Sequence, residues 1–383
     1  MRIGILTQPL HTNYGGLLQN YALQQTLIRA GHEVETIDWN SCGNGIHKKL
    51  YYAIGRILRS FLHDIYPRIR YKPNGKERAI ILRNTAHFIN TYINHTEAMH
   101  SYEEFAKQAS KGNYDAYVVG SDQCWRPCYN SFLTSMFLDF VHDKPVKRIA
   151  YAASFGTNKW EFTPHQTDIC APLAQNFDLV TVREDSGVKL CREHLGVDAI
   201  QVLDPTMLLT KEEYIQLIEK EKEPKSNGTL FNYILDPDEN KSALIKKAAK
   251  AKGLKDFQVL PKYLPETRTK KDVKNRIEDC VFPNVTTWLR AFMDAEMVIV
   301  DSFHGIVFSI IFNKPFWAIG NVSRGMSRFT SLLKLFHLED RLLDADHLDD
   351  VEFSKPIDWT IVNGILEEKR RESKDILLNL LKK

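Results

Sequence analysis

The chain has 383 residues, 43% hydrophobic and 26% charged, with 51 Lys+Arg against 48 Asp+Glu and a formal net charge of +3. A chain of this size buries an ample core without disulfides or metals, and its length suggests about two or three domains. These figures exclude a disordered or collagen-like chain and a uniformly basic nucleic-acid coat, so no nucleic-acid partner is expected.

The first residues, Met1-Arg2-Ile3-Gly4-Ile5-Leu6-Thr7-Gln8-Pro9, form an apolar run that soon stops at a polar turn. That pattern reads as a first strand and not as a signal sequence. No apolar run approaches the roughly 20 residues of a membrane span. Six cysteines (42, 124, 128, 170, 191 and 280) are scattered without a second pair at metal spacing. Neither a disulfide framework nor a metal site is expected, and a cytoplasmic location with reduced thiols is the better reading.

In chain order, Ile3 to Leu6 reads as a strand and Asn13-Tyr14-Gly15-Gly16 as a turn. Leu17 to Ala30 reads as a helix with Gly31 at its end, and Val34 to Asp38 as a second strand. Leu50, Ile54, Ile57, Leu58, Phe61, Leu62 and Ile65 then recur at helical spacing. Lys48 to Arg83 holds ten Lys/Arg against two acids, a basic amphipathic stretch. Further strands are expected at Tyr114–Val119, Arg148–Ala153, Leu179–Val182 and Ala199–Leu203, each ending in polar residues. Functional side chains of open α/β sheets gather at such carboxyl ends. After Asp204-Pro205-Thr206, a second α/β unit is expected to start with a strand at Thr229–Leu235. Lys241 to Arg276 holds twelve Lys/Arg against three acids and reads as a solvated face. A helix at Thr286–Asp294, a buried strand at Met297–Val300, a buried helix at Gly305–Phe312, a strand at Phe316–Ile319 and a final helix at Trp359–Leu381 complete the pattern. The expected organisation is an α/β domain over 1–205, with the basic insertion at about 47–83, a second over 206–350, and a helical tail over 351–383 packing back on the first.

The strongest local signal is Asp301-Ser302-Phe303-His304-Gly305, where a buried strand breaks into a helix. Ser302 is placed as N-cap, which makes the helix start an anion site, with His304 projecting into it and Asp301 able to orient the imidazole. The alternative is a capped helix with a structural histidine. Arg324 and Arg328 lie in a Gly-containing polar loop and suit a phosphate or carboxylate. Arg183 either binds a substrate anion or pairs with Glu184 and Asp185. Asp122, in Gly120-Ser121-Asp122-Gln123, is a base or a cap.

Taken together, these pieces resemble the polysaccharide pyruvyl transferase family. The matching segments are Ile5-Leu6-Thr7 with Asn13-Tyr14-Gly15-Gly16-Leu17-Leu18-Gln19, Val119-Gly120-Ser121-Asp122-Gln123-Cys124-Trp125, and Ala150-Tyr151-Ala152-Ala153-Ser154-Phe155-Gly156. Val182-Arg183-Glu184, Leu203-Asp204-Pro205-Thr206, Asp301-Ser302-Phe303-His304-Gly305 and the Arg324-Gly325 loop follow in order, over about residues 1–345. The resemblance implies a glycosyltransferase-B-like fold, two Rossmann-like α/β domains facing a cleft. It implies transfer of a pyruvyl group from phosphoenolpyruvate to a sugar as a ketal, with release of phosphate. Phosphoenolpyruvate is then a co-substrate, and no cofactor or metal is expected. On this reading His304, Asp122 and Asp301 are the candidate catalytic residues. Arg183, Ser302, His304, Gly305, Arg324 and Arg328 are expected around phosphoenolpyruvate. Asn13, Tyr14, Gly15, Gln19, Ser121 and Gln123 are expected on the acceptor side. The alternatives are an enzyme of the same architecture using a nucleotide-sugar donor, and a non-catalytic saccharide-binding relative. The resemblance implies as acceptor a saccharide of a polysaccharide or of its lipid-linked precursor. For the latter, the stretch 48–83 offers a peripheral contact at the inner face of an anionic membrane.

Overall fold

The computed structural model describes residues 1–39, 71–141, 145–264, 269–320, 325–345, 348 and 351–382. Among them, short apolar runs become strands of two parallel sheets. The first contains β1 (Arg2–Leu6), β2 (Glu33–Thr36), β3 (Ala116–Val119), β4 (Lys147–Ala153), β5 (Leu179–Val182) and β6 (Ile200–Gln201), in the order β2-β1-β3-β4-β5-β6. The second contains β7 (Leu230–Tyr233), β8 (Asp256–Phe257), β9 (Met297–Val300), β10 (Phe316–Ile319) and β11 (Leu342–Leu343), in the order β11-β10-β9-β7-β8. The strands β3, β7, β9 and β10 are buried at every residue, because helices cover both faces of a parallel sheet. The two-residue strands β8 and β11 carry too little apolar pattern to be expected from sequence.

Both sheets begin with the same winding. β1 lies between β2 and β3, and β7 lies between β8 and β9. The chain therefore changes direction across the sheet beside β1 and again beside β7. Crevices beyond the carboxyl ends of strands open at such points.

Most of the basic amphipathic stretch, residues 48–70, lies outside the described residues. Its far end forms the helices Gly75–Ile81 and Arg83–Tyr92. These follow β2 in sequence but pack on the second half. Phe282 N donates to Ile81 O at 3.1 Å, Asn84 Nδ2 to Phe282 O at 2.8 Å, and Arg83 holds Glu278 through both Nη atoms. In the second basic tract, Lys246, Lys247, Lys250 and Lys252 are exposed on the helix Glu239–Lys252, while Lys241 is buried.

The last helix, Trp359–Leu381, crosses between the halves. Val362 and Leu366 join a core that contains Ile306 and Phe308, whereas Leu377 and Leu381 join the core under Ile3, Ile5 and Val118. Midway, Arg370 donates to Met207 O at 2.7 Å and Leu209 O at 3.2 Å, and Ser373 Oγ accepts from Leu203 N. No helix among the described residues is long and apolar enough to cross a membrane.

Candidate active site

A cavity of about 390 Å³ lies where the carboxyl ends of the two sheets meet. Gln8, Asn13 and Gly15 reach it after β1, Asp122 and Gln123 after β3, Tyr233 at the end of β7, and Phe303 and His304 after β9. Both points of changed winding thus open into one space.

Two helix N-termini face it. The helix Phe303–Ile311 is capped by Ser302, whose Oγ accepts from Gly305 N at 3.2 Å. That bond uses the Gly305 amide, and a β-carbon on Gly305 would lie 2.7 Å from Val300 Cγ1. Gly305 is therefore a packing residue and does not line the cavity, contrary to expectation. The first-turn amides of Phe303 and His304 remain at the helix end, where the dipole favours an anion. The helix Tyr14–Arg29 starts differently. Its N-cap residue Asn13 makes no side-chain cap, and Asn13 Nδ2 turns instead to Asp122 Oδ2 at 3.2 Å. The two ends touch: a β-carbon on Gly15 would fall 2.0 Å from His304 Nδ1. Glycine is the residue that leaves room for the ring.

Behind the cavity lies a buried charge cluster. Arg183, its side chain 1% exposed, donates through Nη1 to Asp204 Oδ2 at 2.8 Å and through Nη2 to Asp122 Oδ1 at 3.0 Å. Its Nε lies 3.8 Å from Glu184 Oε2, and its guanidinium stacks 4.3 Å from the Phe303 ring centre. Arg183 does not line the cavity. The expected substrate anion is replaced by three carboxylates of the protein, and the arginine acts by holding them. Burial alone would raise the Asp122 carboxyl, but Arg183, His304 and Arg328 outweigh it and bring it below its ordinary value. The same opposition, with His304 and Arg183 prevailing, holds Asp204 far below the carboxylate range. Glu184 goes the other way: burial raises it, although Ser154 Oγ and the amides of Phe155 and Gly156 bond to its Oε1.

Several expected residues serve the architecture instead. Asp301 does not orient His304. Its Oδ1 accepts from Leu235 N at 2.7 Å, and its Oδ2 accepts from Asp236 N at 3.1 Å and Lys241 Nζ at 2.9 Å. The carboxylate near the imidazole is Asp204, with Oδ2 3.6 Å from His304 Nε2. Sequence reading placed Asp204 at a domain boundary. The signals for a site role are its position after a strand's carboxyl end and its place in Leu203-Asp204-Pro205-Thr206, one of the segments that carry the family resemblance. Tyr14 lines the cavity, but its hydroxyl donates to Pro283 O at 2.9 Å and its ring packs with Tyr233, Phe282 and Trp288. It is a strut between the halves. Gln19 and Ser121 lie below the cavity wall, Gln19 accepting from Ser121 N at 2.9 Å and Ser121 Oγ donating to Asp204 Oδ2 at 2.8 Å. Asn13, Gly15 and Gln123 do reach the cavity.

Arg328 also reaches it, from the first turn of the helix Ser327–Leu335. Burial and the nearby Arg183 push its guanidinium down to about 10, which leaves it charged near neutral pH. Arg324 lies outside the described residues. Among the described residues no group of His, Cys, Asp and Glu has the arrangement of a metal site.

A family model described as polysaccharide pyruvyl transferase matches residues 13–324. No curated protein matches the sequence. A UDP-GlcNAc 2-epimerase from Methanocaldococcus jannaschii, solved with UDP-GlcNAc and UDP, superposes with a TM-score of 0.50 at 10% identity, covering 100% of this chain and 99% of that one. The UDP-GlcNAc 2-epimerase from Neisseria meningitidis bound to UDP-GlcNAc gives 0.47 at 10% identity, over 99% and 100% of the chains. A spinosyn rhamnosyltransferase complexed with thymidine diphosphate gives 0.40 at 10% identity, over 99% and 96%. At such identities the likeness is one of fold. The superposition at 0.50, with the two parallel sheets, makes the architecture glycosyltransferase-B-like.

Proposed function

The chain belongs to the polysaccharide pyruvyl transferase family and is a transferase, and on that premise we propose the reaction it carries out. A pyruvyl group passes from phosphoenolpyruvate to a sugar of a polysaccharide, or of its lipid-linked precursor, forming a ketal and releasing phosphate. One observation carries this reading: two helix N-termini, His304 and Arg328 converge on a single cavity. Phosphoenolpyruvate bears a carboxylate and a phosphate. Helix ends accept anions through free amides, and a guanidinium grips either group through paired donors.

A proton adds to the methylene carbon of phosphoenolpyruvate, and the neighbouring carbon becomes oxocarbenium-like. One sugar hydroxyl attacks that carbon. A second hydroxyl then displaces phosphate and closes the ketal. Of the two hydroxyl protons, one replaces the proton used to make the methyl group and the other leaves with phosphate. His304 is the proton-moving group in this scheme. Asp122, held ionised by Arg183, has no proton to donate and can accept a hydrogen bond from a sugar hydroxyl. Asn13, Gly15 and Gln123 are the acceptor-side residues.

The test is acceptor-dependent release of phosphate from phosphoenolpyruvate, across a panel of sugars and lipid-linked sugars. Release that His304→Ala abolishes supports the reading. It is overturned if no acceptor elicits release while UDP, and not phosphoenolpyruvate, protects the protein against heating.

A further inference from the structure

His304 belongs to the second half of the chain, yet the groups around its ring come largely from the first. Gly15 lies against Nδ1, and Asp204 faces Nε2 at 3.6 Å. Asp204 is in turn fixed by first-half and linker groups. Its Oδ2 accepts from Ser121 Oγ and Arg183 Nη1, both at 2.8 Å, and its Oδ1 accepts from Thr206 N at 3.0 Å and Thr206 Oγ1 at 2.7 Å. Four hydrogen bonds therefore aim a carboxylate, itself 2% exposed, at one edge of an imidazole carried by the other half. Nε2 is fully buried and has no hydrogen-bond partner within reach, while the ring as a whole lines the cavity.

We propose that Asp204 is a positioning residue for His304: it keeps a proton on Nε2, so that Nδ1, beside Gly15, is the nitrogen that exchanges a proton with the substrate. A carboxylate stabilises the N–H that faces it, and the partner of one ring nitrogen decides the role of the other. The charged and titratable groups around the ring agree with this. Asp204 meets it from the linker, Asp122 from the loop after β3, and Arg328 from the helix Ser327–Leu335, with Arg183 and Glu184 behind them after β5. Asp204 is the carboxylate that pairs with Nε2, and its depressed proton affinity keeps it ionised in that role.

The catalytic consequence rests on His304 being the proton-moving group, but the arrangement itself can be read without turnover. The full-length protein carrying ¹⁵N- and ¹³C-labelled histidine is titrated by NMR, with the His304 signal identified by its loss in His304→Gln. Wild type is expected to show the Nε2–H tautomer when neutral. In Asp204→Asn the preference for the proton on Nε2 is expected to be lost, with both neutral tautomers populated. Acceptor-dependent phosphate release should fall about 100-fold, with KM for phosphoenolpyruvate little changed. An Nδ1–H tautomer in wild type overturns the proposal, and that measurement needs no folded Asp204→Asn. A folded Asp204→Asn that keeps the wild-type Nε2–H tautomer also overturns it. If no acceptor supports turnover in wild type, the NMR results still decide the placement of the proton.

Discussion

Gly15 and His304 share one volume: the imidazole fills the space that any side chain at position 15 would need, with Nδ1 2.0 Å from where its β-carbon would stand. Gly15→Ala therefore has to move the ring. Overpacking of this kind costs about 1–3 kcal/mol of stability. Displacing a catalytic group by about 1 Å lowers turnover about 100-fold. We expect a folded Gly15→Ala protein with phosphate release reduced by at least that factor. Urea unfolding and the release assay together check it, and near-normal turnover would show that the ring is not held where the chemistry needs it.

Arg183 makes a different prediction from the one its motif suggests. With its side chain shut off from the cavity among Asp122, Asp204 and Glu184, its loss strands buried carboxylates and does not simply remove a substrate contact. Breaking a buried ion pair from one side costs about 3–5 kcal/mol. Arg183→Met should lose stability on that scale in chemical denaturation. Unchanged stability with lost phosphoenolpyruvate binding would return the residue to direct anion binding.

Arg328 is the described guanidinium that lines the cavity. A hydrogen bond to a charged group is worth about 1.5–3 kcal/mol, or roughly 10- to 100-fold in affinity. Arg328→Ala should raise KM for phosphoenolpyruvate by that range and leave KM for the acceptor nearly unchanged. Arg328→Lys should recover only part of the loss, because an ammonium lacks the paired donors. Initial rates with each substrate varied in turn distinguish these effects.

Acid should loosen the fold through the same cluster. Asp122 and Asp204 have folded-state proton affinities below their ordinary values, so the unfolded chain takes up protons first as pH falls. Their contribution to stability is present above the unfolded value of about 3.9 and is lost as pH falls through the folded values. Glu184 is raised, so its contribution has the opposite sign: its charge costs stability above its folded value, and protonation relieves that cost. Urea unfolding followed from about pH 7 to about pH 3 should show falling stability below about pH 4, and Asp204→Asn should flatten that fall. A wild-type profile as flat as the variant's would contradict the coupling.

Much of the fold is legible because its determinants are local. Met297–Val300 reads as a buried strand from its own side chains, and Ser302 reads as a cap from its place three residues before Gly305. Trp359–Leu381 is the helix its spacing predicts, with the same bounds. The site is legible only in part. That His304 stands at a helix start follows from five consecutive residues. That Asp204 and not Asp301 faces it follows from contacts 100 residues away, and nothing in either segment's composition separates the two aspartates. Arg183 reads as a ligand for anions and is one, but the anions are Asp122 and Asp204, brought to it by the sheet order. Tyr14 is in the same position, since its hydroxyl partner at Pro283 is unknowable from the turn that contains it.

The shared winding of the two sheets has a consequence for the orientation of any ligand. A rotation that laid the second half on the first would match β7 to β1 and β9 to β3. The helix end given by the first half follows β1, whereas the one given by the second half follows β9, so the pseudo-symmetry is broken at the cavity. The counterpart of the open Tyr14–Arg29 end is the helix Glu239–Lys252, and that end is closed by Asp238, whose side chain accepts from Lys241 N. The counterpart of the Phe303–Ile311 end is the Gly120–Asp122 turn, which leads only into short 3₁₀ turns at Pro127–Tyr129, Leu133–Phe137 and Asp139–Val141. The cavity therefore has two unlike poles, one uncapped and one capped by Ser302. A molecule with two unlike anionic groups has a preferred way round in such a cavity, and a symmetric dianion has none.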